Sequence, residues 1–134
     1  MKAVVVTCVL LAACGAAPSV GVSVVAHGLT AAEVALVDLY LLDASAPTRA
    51  KDCAALGTGL IATREDVDVF SRQQFGAGVT ASFKGIGDGK WLLVGEAYAD
   101  ATGLGARTGF GCVALPPIYR DETTKVTLTL EALP

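Results

Sequence analysis

The sequence contains one histidine, one methionine and one tryptophan among 134 residues. With a single imidazole there is no His-rich metal centre to look for. Any acid–base pair built on histidine must use His27, which stands beside Gly28 and reads as a turn residue. Basic residues are also sparse and scattered: Arg49, Lys51, Arg64, Arg72, Lys84, Lys90, Arg107, Arg120 and Lys125 follow the leader without a run or interleaved aromatics. That pattern excludes a nucleic-acid groove. Charged residues make up only 17% and apolar residues 53%, which is not the composition of a disordered polyelectrolyte.

What is present begins at the N-terminus. Met1-Lys2 carries one positive charge, and Ala3 to Ala13 is an apolar run too short for the roughly 20 residues a membrane-spanning helix needs. A basic start, a short apolar core and small residues at its end read as a signal peptide over residues 1–13. The ending Leu11-Ala12-Ala13-Cys14-Gly15 resembles the lipobox of bacterial lipoproteins. That resemblance implies cleavage before Cys14, a diacylglycerol in thioether linkage to its sulfur, and acylation of the new N-terminus. An ordinary secretory signal cut after Ala13 or Ala17 is the alternative. Gly15 is not the aspartate that, in enterobacterial lipoproteins, marks inner-membrane retention, so the outer membrane is favoured. Two or more acyl chains would hold the protein to its membrane, where one alone anchors only marginally. Residues 14–18 then form a lipidated cysteine and short tether, and 19–134 one domain.

Four cysteines divide by position. Cys8 lies inside the leader and is discarded with it, and Cys14 is the attachment point. Cys53 and Cys112 remain, and two cysteines in an exported chain are most simply a disulfide. Its loop of about 60 residues corresponds to roughly 4 kcal/mol of chain-entropy stabilisation. Free thiols and a metal site are the other readings, although a metal would need further ligands. Loss of Lys2 with the leader leaves nine basic against thirteen acidic residues, a net −4 for the mature chain.

From Ser19 the pattern alternates. SVGVSVVA (Ser19 to Ala26) places Val20, Val22 and Val24 on one face, as a half-buried strand does. EVALVDLYLLD (Glu33 to Asp43) has Val37, Leu39 and Leu41 on one face and Leu36, Asp38, Tyr40 and Leu42 on the other, and reads as a strand with helix as the alternative. Ala44 to Gly59 is irregular. Further strands are expected at Asp66 to Phe70, Val79 to Phe83, Trp91 to Ala99, Arg107 to Leu115 and Thr123 to Leu133, with the glycine-rich turn KGIGDGK before Trp91. About seven short strands separated by turn residues predict an all-β chain, an antiparallel β-sandwich of Greek-key type.

Three pieces carry a family resemblance: the opening strand with the Gly28-Leu29 turn and long second strand, GDGKWLLVGEAYAD (Gly87 to Asp100), and the closing VTLTL (Val126 to Leu130). Together they resemble the prealbumin-like or carboxypeptidase-regulatory-like sandwiches of exported bacterial proteins. Gly95 inside the central strand departs from that pattern. The resemblance implies a domain that serves as a spacer, a stabilising module or a binding surface and is usually not catalytic.

Other constellations are weak. Asp66, Asp68, Asp88 and Asp100 carry oxygens of the type calcium takes, but IGDGK lacks the alternating acids of an EF-hand loop and reads as a turn. Ser19, Ser23, Ser71 and Ser82 have no nucleophile-elbow context. The glycine stretches at 76–78 and 85–89 precede strands instead of the helix a phosphate loop needs. Tyr40, Phe83, Trp91 and Tyr98 are expected in the core, with an outward face stacking on sugars or peptides as the alternative. The expectation is a cell-envelope lipoprotein without cofactor or metal. It would act as a non-catalytic binding or structural module, with the membrane as partner through its anchor and an envelope protein or glycan beyond. An envelope enzyme or enzyme accessory using loop carboxylates, and a β-strand donor pairing edge to edge, are the rival classes.

Overall fold

A computed structural model of the chain describes residues 18–47, 49–76, 80–119 and 122–134. The leader, Cys14 and most of the tether lie outside the described residues, as does Val79 at the expected start of the fourth strand. The fold is all-β. Strands β1 (Ser19–His27), β2 (Leu36–Asp43), β3 (Val69–Phe75), β4 (Ala81–Lys84), β5 (Trp91–Tyr98), β6 (Arg107–Ala114) and β7 (Thr123–Ala132) form one curled sheet in the order β3-β2-β5-β6-β7-β1-β4. The curl is close to a barrel and lets two halves of the sheet face each other as in a sandwich. No helix among the described residues is long and apolar enough to cross a membrane.

The inner core follows the alternation directly. Val20 and Val22 of β1, Val37, Leu39 and Leu41 of β2, Phe83 of β4, Trp91 and Leu93 of β5, and Val126, Leu128 and Leu130 of β7 are buried together. Every ladder is antiparallel except one: β1 and β7 run parallel over nine residue pairs, from Ser19↔Thr123 to His27↔Glu131. Parallel neighbours need a long connection. Here almost the whole domain separates the two strands, so the geometry is unconstrained by a turn.

Strands β2 and β5 are buried on both faces, which is why they read as near-continuous apolar runs. Their second face packs a separate cluster of Tyr40, Leu42, Leu92, Val94 and Phe110 against the segment between β2 and β3. That segment, which looks irregular in sequence, contains a one-turn helix α1 (Cys53–Leu56) and a 3-10 turn at Ile61–Thr63. Asp52 caps α1 by accepting the Ala55 N–H at 2.7 Å.

Gly95 has a structural reason. It lies between Leu39 and Gly111 in register, and an added Cβ would come within 2.7 Å of both Leu128 and Leu130. A Cβ at Gly111 would overlap the Thr129 carbonyl. The glycine pair lets β7 lie close over the middle of the sheet. Strand β3 is shifted from expectation, spanning Val69–Phe75 instead of Asp66 to Phe70, and is bulged between Leu41 and Leu42 of its partner. Residues 33–35 stay outside β2, because Ala31–Glu33 forms a 3-10 turn closed by Thr30 and Glu33.

Candidate functional site

The outer face of β3, β2, β5 and β6 carries the most unusual chemistry in the molecule. Asp38 is 2% exposed and Glu96 is fully buried, and the two are cross-strand partners between β2 and β5. Buried carboxylates are tolerated when paired and hydrogen-bonded. Asp38 receives a two-pronged contact from Arg72, Nε to Oδ1 at 2.8 Å and Nη2 to Oδ2 at 2.6 Å. The Tyr40 hydroxyl and Gln74 amide also donate to it, at 3.2 and 3.3 Å. Glu96 accepts from Arg107 Nη1 at 2.9 Å, with longer approaches from the Ile61 N–H and the Tyr98 hydroxyl at 3.4 Å.

Both arginines also lie against aromatic rings, Arg72 over Tyr40 and Arg107 over Phe110, each at 5.3 Å from the centroid. The other arm of Arg107 donates to the Thr58 carbonyl. Burial pushes the Glu96 carboxyl above its ordinary range, and the Arg107 charge pulls against that only in part. Burial and the neighbouring acids push both Tyr40 and Tyr98 upward, so both phenols stay protonated at neutral pH. The array is an internally compensated network of two acids, two arginines and two tyrosines. Among the described residues, the only buried side-chain polar atom without a partner is Nε of Arg49.

The segment between β2 and β3 seals this face. The structure joins Cys53 of α1 to Cys112 of β6, with Cα atoms 5.8 Å apart. Leu56 and Ile61 from the same segment are buried against the outer face. Beside it opens a groove of about 530 Å³ lined by Leu60, Ala62, Tyr98, Leu104, Arg107 and Leu133, with Leu104 88% exposed. A smaller apolar cavity of about 120 Å³ lies between Val24, Ala26, Val34, Val37 and Phe75.

The acids singled out from sequence do not converge. Asp66 pairs with Arg64 at 2.7 Å, and Asp100 closes a turn by accepting the Thr102 N–H at 2.9 Å. These contacts lower both carboxyls below the usual range. Asp68 offers its backbone carbonyl to the Asp43 N–H, and Asp88 sits in the turn before β5. Among the described residues no group of three His, Cys, Asp or Glu is placed to hold a metal. His27 meets Glu131 at 2.8 Å on the surface, at the end of the β1–β7 ladder. Ser19 bonds to Thr123, and Gly85 and Gly89 take positive φ in the turn leading into β5. Residues 77–79 of the other glycine stretch lie outside the described residues. Tyr40, Phe83, Trp91 and Tyr98 are all buried.

Sequence reading missed Asp38, Glu96, Arg72 and Arg107. The available signal was an acid on the same strand face as a tyrosine and a leucine, inside a strand apolar on both sides.

No protein-family model matches the chain, and no curated protein matches it. Solved structures do. One is an alternative pilotin from the type II secretion system of Vibrio cholerae, 14% identical, covering 87% of this chain and 97% of the pilotin at a TM-score of 0.54. Another is a minor pilin of Streptococcus agalactiae, 17% identical, covering 89% of this chain and 46% of the pilin at a TM-score of 0.44. The pilotin likeness establishes a shared fold along almost the full length of both chains.

Proposed function

We propose that the chain is a lipid-anchored, non-catalytic module of a bacterial cell envelope that serves a larger envelope assembly as an adaptor. The observation that carries this reading is the extent of the pilotin match, in which nearly the whole pilotin chain corresponds to the sandwich described here. The lipobox ending at Cys14 supplies the anchor. Ser19 already belongs to β1, so the sandwich sits within a few residues of its attachment point. The prealbumin-like resemblance agrees, since such domains act as spacers or binding surfaces. The buried acids support a non-catalytic role because each is held by an arginine instead of facing a pocket. The absence of aspartate after Cys14 favours the outer membrane, and the partner is an envelope protein.

The test is expression of the full tagged chain in a Gram-negative envelope, as wild type and as Cys14→Ser. Labelling with an alkyne analogue of palmitate, membrane fractionation and cross-linking to a co-expressed type II secretion assembly are then read together. Wild type is expected to be labelled, to sediment with outer membranes and to cross-link to that assembly, and Cys14→Ser to lose the label and the sedimentation. An unlabelled wild type found free in the periplasm would refute the anchor. A labelled protein that never cross-links would refute the adaptor role.

A further inference from the structure

The segment between β2 and β3 is a strap with a particular distribution of bonds. Its ties to itself are many. Arg64 chelates Asp66 through Nε and Nη2, both at 2.7 Å, and donates to the Leu56 carbonyl. The Ala50 N–H reaches the Asp66 carbonyl at 2.8 Å, and Arg49 reaches the Glu65 carbonyl at 3.2 Å. Its ties to the sheet beneath are fewer. They are the Cys53–Cys112 bond, the Arg107 contact with the Thr58 carbonyl, and the long Ile61 N–H approach to Glu96. No backbone ladder joins residues 49–66 to a strand among the described pairings. The remaining adhesion is the packing of Ala50, Leu56 and Ile61 on Tyr40, Leu42, Leu92, Val94 and Phe110.

This outer cluster is separate from the inner core, which lies on the opposite face of the same strands. No residue of the inner core and no pairing of the seven-stranded ladder belongs to residues 49–66. Cys53 and Cys112 are both half-buried and pack against the outer cluster, so the bond lies outside the inner core.

We propose that the Cys53–Cys112 disulfide is a redox latch: once it is reduced, the strap swings away as a unit and uncovers the apolar outer face, while the sandwich body stays folded. The reductant is a dithiol. Its thiolate attacks one cystine sulfur and expels the other as a thiolate, giving a mixed disulfide. Its second thiol then resolves that bond, so that two electrons pass to the protein and the reductant leaves as a cyclic disulfide. Local opening of this kind belongs to the lower end of a protein's range of opening free energies. The inference does not depend on the anchor or on the adaptor role.

Hydrogen exchange tests it on the exported full chain, oxidised and then equilibrated with dithiothreitol, beside the Cys53→Ser/Cys112→Ser variant. Amides of residues 50–65 are expected to lose protection by about tenfold or more on reduction, as local release requires. Those of β1 and β7 should exchange unchanged, and binding of anilinonaphthalene sulfonate should rise. Loss of protection across all seven strands together would overturn the proposal, since the disulfide would then staple the whole fold. Unchanged protection at 50–65 in reduced wild type would overturn it as well, since packing alone would hold the strap.

Discussion

Asp38 and Glu96 face each other across the β2–β5 ladder with almost no exposure, so two like charges lie side by side beneath the surface. Like charges directly opposite in a sheet are destabilising. The arrangement holds because an arginine flanks each acid on its far side, Arg72 from β3 and Arg107 from β6. The two flanks are unequal. The Arg72 side chain is 51% exposed, whereas that of Arg107 is 13% exposed.

That inequality predicts unequal losses. Arg107→Met leaves Glu96 buried and uncompensated, and the expected loss is about 3–5 kcal/mol in urea denaturation. Arg72→Met removes a half-solvated partner and should cost clearly less. The double variant Glu96→Leu/Arg107→Met should recover much of the loss of Arg107→Met. A double variant as unstable as the single one would show that packing of the arginine stem, and not the orphaned charge, is what matters.

Burial raises the Glu96 carboxyl above its ordinary value of 4.5, so the folded state holds this proton more tightly than the unfolded chain. Its contribution to stability is therefore fully present below 4.5 and declines as pH rises through the shifted titration. Glu96→Gln cannot titrate. The stability of wild type minus that of Glu96→Gln should be greatest in acid and shrink toward neutral pH. A difference that grows with pH would mean that the Arg107 charge outweighs burial.

Substitutions at three glycines should separate by what an added methyl meets. Gly95→Ala presses on Leu128 and Leu130 and should cost about 1–3 kcal/mol. Gly111→Ala meets the Thr129 backbone, which cannot turn aside as a leucine side chain can, and should cost more. Gly87→Ala meets nothing and should be close to neutral. Thermal denaturation of the three variants side by side gives the order, and a harmless Gly111→Ala would contradict the close approach of β6 and β7.

Trp91 is the sole tryptophan, buried, with its indole N–H donating to the Gly87 carbonyl at 3.0 Å. Phe70, at the bulge of β3, meets it edge-on with centroids 5.0 Å apart. Phe70→Ala should cost about 0.5–1.5 kcal/mol beyond the lost area and red-shift the native emission as water reaches the ring. An unchanged native spectrum would place the ring contact outside the native packing.

The strands that alternate cleanly, β1 and β7, were legible, as were β5 as a strand and β2 with its two faces correctly divided. Alternation reports one buried face, and these strands have at least one. Strand β3 was displaced because its central residues, Ser71 to Gln74, are polar. At the sheet edge they face water, the Asp38 carboxylate, or the Ser82 carbonyl, which the Gln73 amide reaches at 2.7 Å. The strap was unreadable for another reason: it is short helical turns held by side chains and a covalent bond, which leave no period. Asp38 and Glu96 were hidden because a single acid in a strand looks like a solvent-facing residue until the second layer that covers it is known.

The parallel ladder between the first and last strands sets an order of events during biogenesis. Ser19 and Thr123 bond across a separation of 104 residues. As the chain emerges N-terminus first, β1 has only the four-residue β4 beside it until Thr123–Ala132 follows. The sheet is completed by its last arrival, and contacts of such long range form slowly. Until then, the valines of β1 have no β7 leucines to pack against, so this domain is most exposed to misassociation or proteolysis in the moments before the ten residues of β7 appear.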